Sequence, residues 1–280
     1  MKIPKPLEPL VQDGLVDEVI RPLKSGKEAA VYVVLSEGEI RCAKVYKDIK
    51  QRGFHKQAQY QEGRKVRNSR QERALNKGSK FGREQQEELW QNAEVDALYR
   101  LAAAGVRVPQ PYNFVSGVLL MELVTDSAGN AAPRLNDLEL SQAEALMYHD
   151  GLIKEVVKML CAGIVHGDLS EYNILLDAHG PVIIDLPQAV DAAANNNAAR
   201  MLSRDVDNLR AYFGQFAPEL LTTQYGKEIW KLFESGLLQP EVQLTGQFKS
   251  SEKSADVKGV LLEIREAEAE AIRQKYEQQN

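Results

Sequence analysis

The stretch HGDLSEYNILL, His166 to Leu176, followed after a short gap by VIIDLPQAV, constrains this chain more than any other. An aspartate and an asparagine, four residues apart by their spacer, stand directly before an aliphatic run, and a second aspartate, Asp185, ends the next run. The tetrapeptide DAHG separates ILL from PVII, so the spacing predicts a tight β-hairpin with Asp185 at its far end. A spacer of four lets a loop reverse so that Asp168 and Asn173 face one cavity, and the hairpin returns Asp185 to the same place. Three oxygen-bearing side chains then converge, and hard divalent cations prefer oxygen ligands.

The rest of the pattern supplies a frame for that hairpin. From about Val16 to Tyr46 strand-like runs alternate with turns, DEVIRPLKSG and then KEAAVYVVLSEGEIRCAKVYK, with EGE as a hairpin turn. From about Glu84 to Ala104 the apolar positions Trp90, Ala97, Leu98 and Leu101 recur at helical spacing, and Gly105 supplies a stop. VPQPYNFVSGVLLMELV reads as a loop and two short strands turning at Ser116-Gly117, and TDSAGNAAPR reads as a linker. Beyond it Ser141 to Leu160 is helical, with Ser141 and Glu144 spaced as a capping box. After an Ala/Asn-rich stretch MLSRDVDNLRAYF is helical too, and the last thirty residues suggest a terminal helix. The expected class is α+β: a small antiparallel sheet with one long helix, then a mainly helical part.

Composition narrows the function classes. With 280 residues, 44% of them hydrophobic, the chain suits one bilobal domain or two small ones. No apolar run approaches the roughly 20 residues of a membrane span, and MKIPKPLEPL lacks the apolar core of a signal peptide, so the cytosol is the expected compartment. Cys42 and Cys161 lie in separate apolar contexts and are expected to be reduced core residues. The net charge of -5 argues against a protein whose whole surface binds nucleic acid. The local exception is residues 50–83, with eleven Lys or Arg against two acids and few large aliphatics, which reads as a basic, mobile insertion.

Transferring a phosphoryl group is mostly a matter of holding a charged nucleotide beside a nucleophile while divalent metal offsets the developing charge. Asp168 suits the orientation of an attacking hydroxyl, and Asn173 and Asp185 suit metal ligation. Such a site also needs a strand lysine for the α- and β-phosphates and a helical glutamate to hold it. Lys44, between apolar residues in IRCAKVYK, fits the first. Glu94 lies four residues after Trp90 and four before Leu98, on the apolar face of its helix. A carboxylate facing a core is costly unless paired, and Lys44 is the evident partner. Each element has a bland counterpart: Asp168 and Asn173 as turn residues, Lys44 as a strand-edge lysine, Glu94 in a surface pair with Arg100, His166 as a loop support. Only their joint appearance in one order favours the site.

KSGKEAAVY, AKVYK, HGDLSEYNILL, IIDLPQAV and RDVDNL together resemble the atypical RIO family of serine protein kinases, over roughly residues 15 to 215. The resemblance implies a bilobal kinase-like fold, with an N-lobe and hinge at about 15–124 that carries the insertion 50–83. A C-lobe follows at about 125–245, with a helical extension at 246–280. It implies ATP with Mg2+, or Mn2+ in its place, as cofactors. The phosphates would meet Ser25, Gly26, Lys27 and Glu28 as well as Lys44, and the adenine would meet Met121, Glu122 and Leu123. Asp168, Lys44 and Glu94 would be catalytic, and Asn173 and Asp185 would hold metal. The SGKEA stretch departs from both the three-glycine loop of typical kinases and the G-x4-G-K-[ST] phosphate loop.

Other departures matter as well. Gly167 replaces the arginine of the usual HRD, so that position offers no clamp for a phosphorylated activation loop. Leu186 and Pro187 follow the metal aspartate in place of Phe and Gly. Ala217 to Glu219 spell APE, but after RDVDNL rather than before it, so the tripeptide is a decoy and the peptide-docking region is expected to be reduced. Asp205 is the candidate for bonding the backbone of the catalytic loop. About 15 residues before the first strand leave no room for the winged-helix domain of one family branch, which points to a simpler, single-domain member such as a bacterial one.

Three functions remain open at this point. The first is phosphorylation of a protein hydroxyl, including autophosphorylation. The second is an ATPase switch on ribosome precursors or RNA, reached through residues 50–83. The third is small-molecule phosphorylation of the aminoglycoside-kinase type, although Ser170-Glu171-Tyr172 departs from what such enzymes usually carry.

Overall fold

The computed structural model describes residues 3–26, 29–47 and 80–248, with the backbone alone for 80–91. The chain divides after Gln247 into two units, and every helix and strand named below belongs to the first. Lys27, Glu28, residues 50–79 of the basic insertion, the Trp90 side chain and the expected terminal helix lie outside the described residues.

Five strands, β1 (Glu18–Ser25), β2 (Ala29–Ser36), β3 (Glu39–Tyr46), β4 (Pro111–Val115) and β5 (Val118–Glu122), form a sheet in the order β1-β2-β3-β5-β4. All neighbours are antiparallel. Two-residue turns close the β2–β3 and β4–β5 hairpins, with φ of 53° and 77° at Glu37 and Gly38 and 51° and 75° at Ser116 and Gly117. Left-handed backbone at both central positions matches the twist of the flanking strands, which is why a glycine follows a small or polar residue in each turn.

The period of two along a strand decides what each face meets. Ala43 and Val45 of β3 and Val118 and Leu120 of β5 pack with Leu7, Leu10, Val16 and Val19. The first two of these belong to a short 3-10 turn, Lys5–Leu7, and to helix α1 (Glu8–Gln12), so the segment before the first strand seals one face of the sheet. Leu7 and Leu10 are buried almost completely, each stabilising the fold by about 2 kcal/mol. Tyr46 and Leu119, of opposite parity, join Val95, Leu98 and Leu101 of the long helix α2 (Lys80–Ala103). Lys44 sits between Ala43 and Val45 and is therefore turned toward α2.

Below the sheet come α3 (Gln142–Cys161), α4 (Ala198–Phe213) and α5 (Tyr225–Glu234). Beside them lie the hairpin of β7 (Ile174–Asp177) and β8 (Gly180–Ile183) and the short pair β6 (Ile164–Val165) and β9 (Val190–Asp191): α3 packs against β8 and β6, α4 against β6, and α5 against α3 and α4. Ser141 and Glu144 form the capping box at the start of α3. Arg107, in the loop after α2, braces the two parts. Its amide donates to Glu155 of α3 at 2.8 Å, and its guanidinium reaches Asp177 at 2.5 Å and the Pro181 carbonyl at 3.1 Å.

Three expectations need correction. The basic insertion expected over 50–83 does not extend that far, since residues 80–83 already belong to α2. TDSAGNAAPR is ordered rather than linker-like: the Asp126 carboxylate accepts from the amides of Ala128 and Asn130, both at 2.9 Å, and bridges join Thr125 to Ala131 and Arg134 to Leu175. A short polar side chain here supplies the turn that composition alone reads as slack. Cys161, at the last position of α3, is exposed, whereas Cys42 is buried and its thiol is pushed up to about 12 by that burial. The Ala217–Glu219 tripeptide follows α4 and leads into a 3-10 turn, Pro218–Thr222.

Candidate active site

Lys44 of β3 is the meeting point of two carboxylates from different elements. Its Nζ lies 2.5 Å from Glu94 Oε1 on α2 and 3.2 Å from Asp185 Oδ1 beyond β8. Glu94 is 4% exposed, so its charge is tenable only with this partner. Burial works against the ammonium, but Glu94 and then Asp185 outweigh it and hold Lys44 well above the ordinary lysine range. The Asp185 side chain is 46% exposed; desolvation by its surroundings pushes its carboxyl upward, and Lys44, with help from His166 and Arg134, pulls it below the usual carboxylate value. Asp185 also has φ of 68°, a left-handed backbone that costs a non-glycine residue about 1 kcal/mol. Such strain persists where the surroundings impose it, and here the imposed conformation presents the carboxylate to Lys44.

Under the opposite wall lies a second network. Asp205 of α4 is 1% exposed and accepts from the amides of Gly167 at 2.7 Å and Leu169 at 3.0 Å. Asn208, three residues on along the same helix face, donates to the Leu169 carbonyl at 3.0 Å. Arg204 donates to the Gly167 carbonyl. The sequence DVDN therefore grips both sides of the loop that carries Asp168. Gly167 has φ of 81°, a conformation glycine adopts without cost, which accounts for glycine in HGD. Burial raises the Asp205 carboxyl to about 7, while the two amides and Arg204 act in the other direction. His166 is buried, with Nε2 3.1 Å from the Ile184 carbonyl and Nδ1 accepting from the Asp168 amide at 3.3 Å. Burial keeps it below the ordinary histidine value, the state that lets Nδ1 accept.

Asp168 is half-buried, and burial raises its carboxyl above the usual value, against the pull of Arg204 and with the push of Asp185. Its carboxylate Oδ2 accepts from Gln188 Nε2 at 3.1 Å. Asn173 donates its Nδ2 to the Asp168 carbonyl at 3.0 Å, which fixes the amide orientation and leaves the Oδ1 oxygen as its donor toward a cation. Among the described residues no group of three or more His, Cys, Asp or Glu side chains forms a metal site by itself. Asp185 and Asn173 fit Mg2+ all the same, since that ion is usually held by one or two protein oxygens with nucleotide phosphates and water completing the shell.

The nucleotide candidates are partly placed. Ser25 ends β1 and Gly26 follows it, and Lys47 Nζ ties them down, donating to Ser25 Oγ at 3.0 Å and to the Gly26 carbonyl at 2.7 Å. Met121 and Glu122 close β5, and Leu123 follows them, half-buried. The Glu122 amide is already donated to the Gln110 carbonyl at 2.8 Å, and its carboxylate accepts from the Gln110 amide at 3.0 Å. Of the three, Glu122 thus has no amide to spare for a base. Arg204, Gln188 and Lys47 are site residues that sequence patterns do not single out. Arg204 and Gln188 stand within the motifs RDVDNL and IIDLPQAV, and Lys47 ends AKVYK, but polarity alone does not say which side chains turn inward.

A model of the RIO domain matches residues 30–225. This chain belongs to the RIO family. The RIO-type serine/threonine-protein kinase Rio1 of Haloferax volcanii is 35% identical over 206 residues, covering 73% of this chain and 66% of that protein. The serine/threonine-protein kinase rio1 of Schizosaccharomyces pombe is 30% identical, covering 73% of this chain and 40% of that protein. The match to these RIO relatives thus spans less than two thirds of either one's own length. Among solved structures, the Rio2 kinase of Chaetomium thermophilum in complex with ADP, Mg2+ and phosphoaspartate superposes with a TM-score of 0.51 at 24% identity, covering 75% of this chain and 59% of that one. The fold is accordingly the bilobal RIO kinase fold, with the sheet and α2 as the small lobe and α3 to α5 in the large one. Among the described residues no helix is long and apolar enough to cross a membrane.

Proposed function

We propose that this RIO protein is an ATP- and Mg2+-dependent serine/threonine protein kinase that moves the γ-phosphoryl group of ATP to a protein hydroxyl, its own included. The observation that carries the reading is Lys44 held between Glu94 and Asp185, with the Asp185 charge near enough to help raise the Asp168 carboxyl. Lys44 would meet the α- and β-phosphates, and Asp185 and Asn173 would hold the metal, which supplies charge neutralisation at the transferring group. Asp168 would accept the hydroxyl proton as that oxygen bonds to phosphorus and the bond to the ADP oxygen breaks. Its raised carboxyl brings it nearer the range useful for a base.

A second reading shares the site: an ATPase switch whose phosphate ends in water and whose nucleotide state governs contact with RNA or ribosomal particles through residues 50–83. The eleven basic residues of that segment support it. Labelled ATP decides between them. Wild type, Asp168→Asn and Asp185→Asn are followed with Mg2+, separating protein-bound label from free phosphate. The kinase reading expects stable label on serine or threonine in the wild type and a drop of at least about 100-fold in both variants. Free phosphate with no stable label sinks it in favour of the switch.

A further inference from the structure

Gln188 is the feature of this site that the assigned roles leave unused. It lies three residues beyond Asp185, half-buried between Pro187 and Ala189, both buried. The Ala189 amide closes a turn onto the Leu186 carbonyl at 3.0 Å, and Leu186 is 3% exposed, so the backbone on either side of Gln188 is anchored in the core. From that fixed base the side-chain amide donates to Asp168 Oδ2 at 3.1 Å. This bond goes to the reacting group itself. The amide of Asp168 bonds to His166 and its carbonyl accepts from Asn173, and both of those bonds involve backbone. The loop backbone is therefore gripped from several sides, and Gln188 adds a hold on the carboxylate at its tip.

A carboxylate on a fixed backbone still rotates about two side-chain bonds, and a misplacement of about 1 Å in a reacting group costs about 100-fold in rate. An amide N–H can only donate, so Gln188 occupies Oδ2 and leaves Oδ1 open. Resting on the kinase reading above, we infer that Gln188 is a positioning residue: it fixes the Asp168 carboxylate so that Oδ1 meets the proton of the attacking hydroxyl. In that step the hydroxyl oxygen bonds to the γ-phosphorus, the bond from phosphorus to the ADP oxygen breaks, and the proton passes to Asp168. Because Gln188 and Asp185 share one short segment, the arm that brings the metal ligand also sets the base. The placement is thereby tied to the same piece of chain that answers to the nucleotide.

Gln188→Met keeps the length and volume of the side chain and removes the donor. With Mg-ATP, total turnover (protein label plus free phosphate) is expected to fall by about 10-fold to 100-fold while KM for ATP stays within about twofold, because the nucleotide contacts lie elsewhere. Gln188→Lys, which returns an N–H to the same reach, is expected to recover part of the loss. Unchanged turnover in folded Gln188→Met overturns the inference, as does a rise in KM with turnover kept, or a lost melting transition in both variants. A second measurement needs no turnover. The side-chain amide resonance of Gln188, recognised by its disappearance in Gln188→Met, is expected to shift in Asp168→Ala, and an unmoved resonance overturns the contact itself. A wild type that yields neither label nor phosphate sinks the kinase reading, and the resonance still judges the pairing.

Discussion

The two networks around the site hold charge in opposite ways. At Lys44 three side chains, from a strand, a helix and the segment after β8, meet with charge against charge, and the Glu94 Oε2 atom is left buried without a hydrogen bond. At Asp205 one carboxylate is met by the backbone amides of Gly167 and Leu169, with Arg204 and Asn208 taking the carbonyls of the same two residues. The first arrangement depends on long side chains that a bound nucleotide would rearrange. The second is built from main chain, which does not leave. The proposed kinase chemistry needs both: a cluster whose charges can be shared with a ligand, and a loop that does not move when they are.

The largest effect that would sharpen this contrast comes from breaking the ion pair on one side. Lys44→Met leaves Glu94 buried and unpaired, and is expected to lower stability by about 3 to 5 kcal/mol. Lys44→Met/Glu94→Leu should recover most of that stability in urea unfolding while phosphotransfer stays lost, because two apolar groups no longer strand a charge. A double variant as unstable as the single one would mean that the cluster is structural rather than poised for a ligand.

Next in size is a titration that neither network shares. His149 of α3 is 2% exposed, lies against the rings of Phe213 and Tyr225, each at 5.7 Å, and its Nε2 has no hydrogen-bond partner. Burial lowers it to about 4 from 6.5, so between those values the unfolded chain binds a proton that the folded chain does not. Its contribution is complete above pH 6.5 and is lost as the pH falls, by about 3 kcal/mol once the folded value is passed. Unfolding followed from pH 7 to pH 4 in wild type and His149→Leu should show the shallower acid decline in the variant. Equal declines would assign the acid sensitivity to the carboxylate networks instead.

The smallest change tests the backbone-held side. Asp205→Asn keeps the shape but turns an NH2 group toward one of the two amides, and the expected loss is about 2 kcal/mol. Turnover should fall with it, since the Asp168 loop loses part of its floor. If thermal unfolding and turnover both match the wild type, the loop is held by Asn208 and Arg204 without Asp205.

Much of the fold and of the site is legible in the amino-acid sequence alone. The five strands, the long helix, both two-residue turns and the capping box follow from period, glycine placement and spacing, because those signals are local. The pairing of Lys44 with Glu94 is legible for another reason: a carboxylate on an apolar helix face has few tenable partners. What stays hidden is the direction of polar side chains in segments without a period. Gln188, Arg204 and Lys47 are ordinary polar residues in the sequence, and Asp126 reads as part of a slack linker. Cys161 reads as core because its neighbours are apolar, yet the last position of a helix turns away from them.

By itself, then, the sequence determined the residue types of the site and the order in which they come, since HGD, x4-N and the strand-end aspartate are fixed by chain connectivity. It also determined that Lys44 takes the face opposite to Ala43 and Val45, because successive side chains of a strand alternate. Tertiary structure alone decided that Asp185 reaches Lys44 across 141 positions of sequence and that Gln188 meets Asp168. It alone decided as well that the opening segment seals the outer face of the sheet. Those contacts depend on how separately formed elements pack, and packing is set by the sum of many weak apolar contacts that no short window of sequence contains.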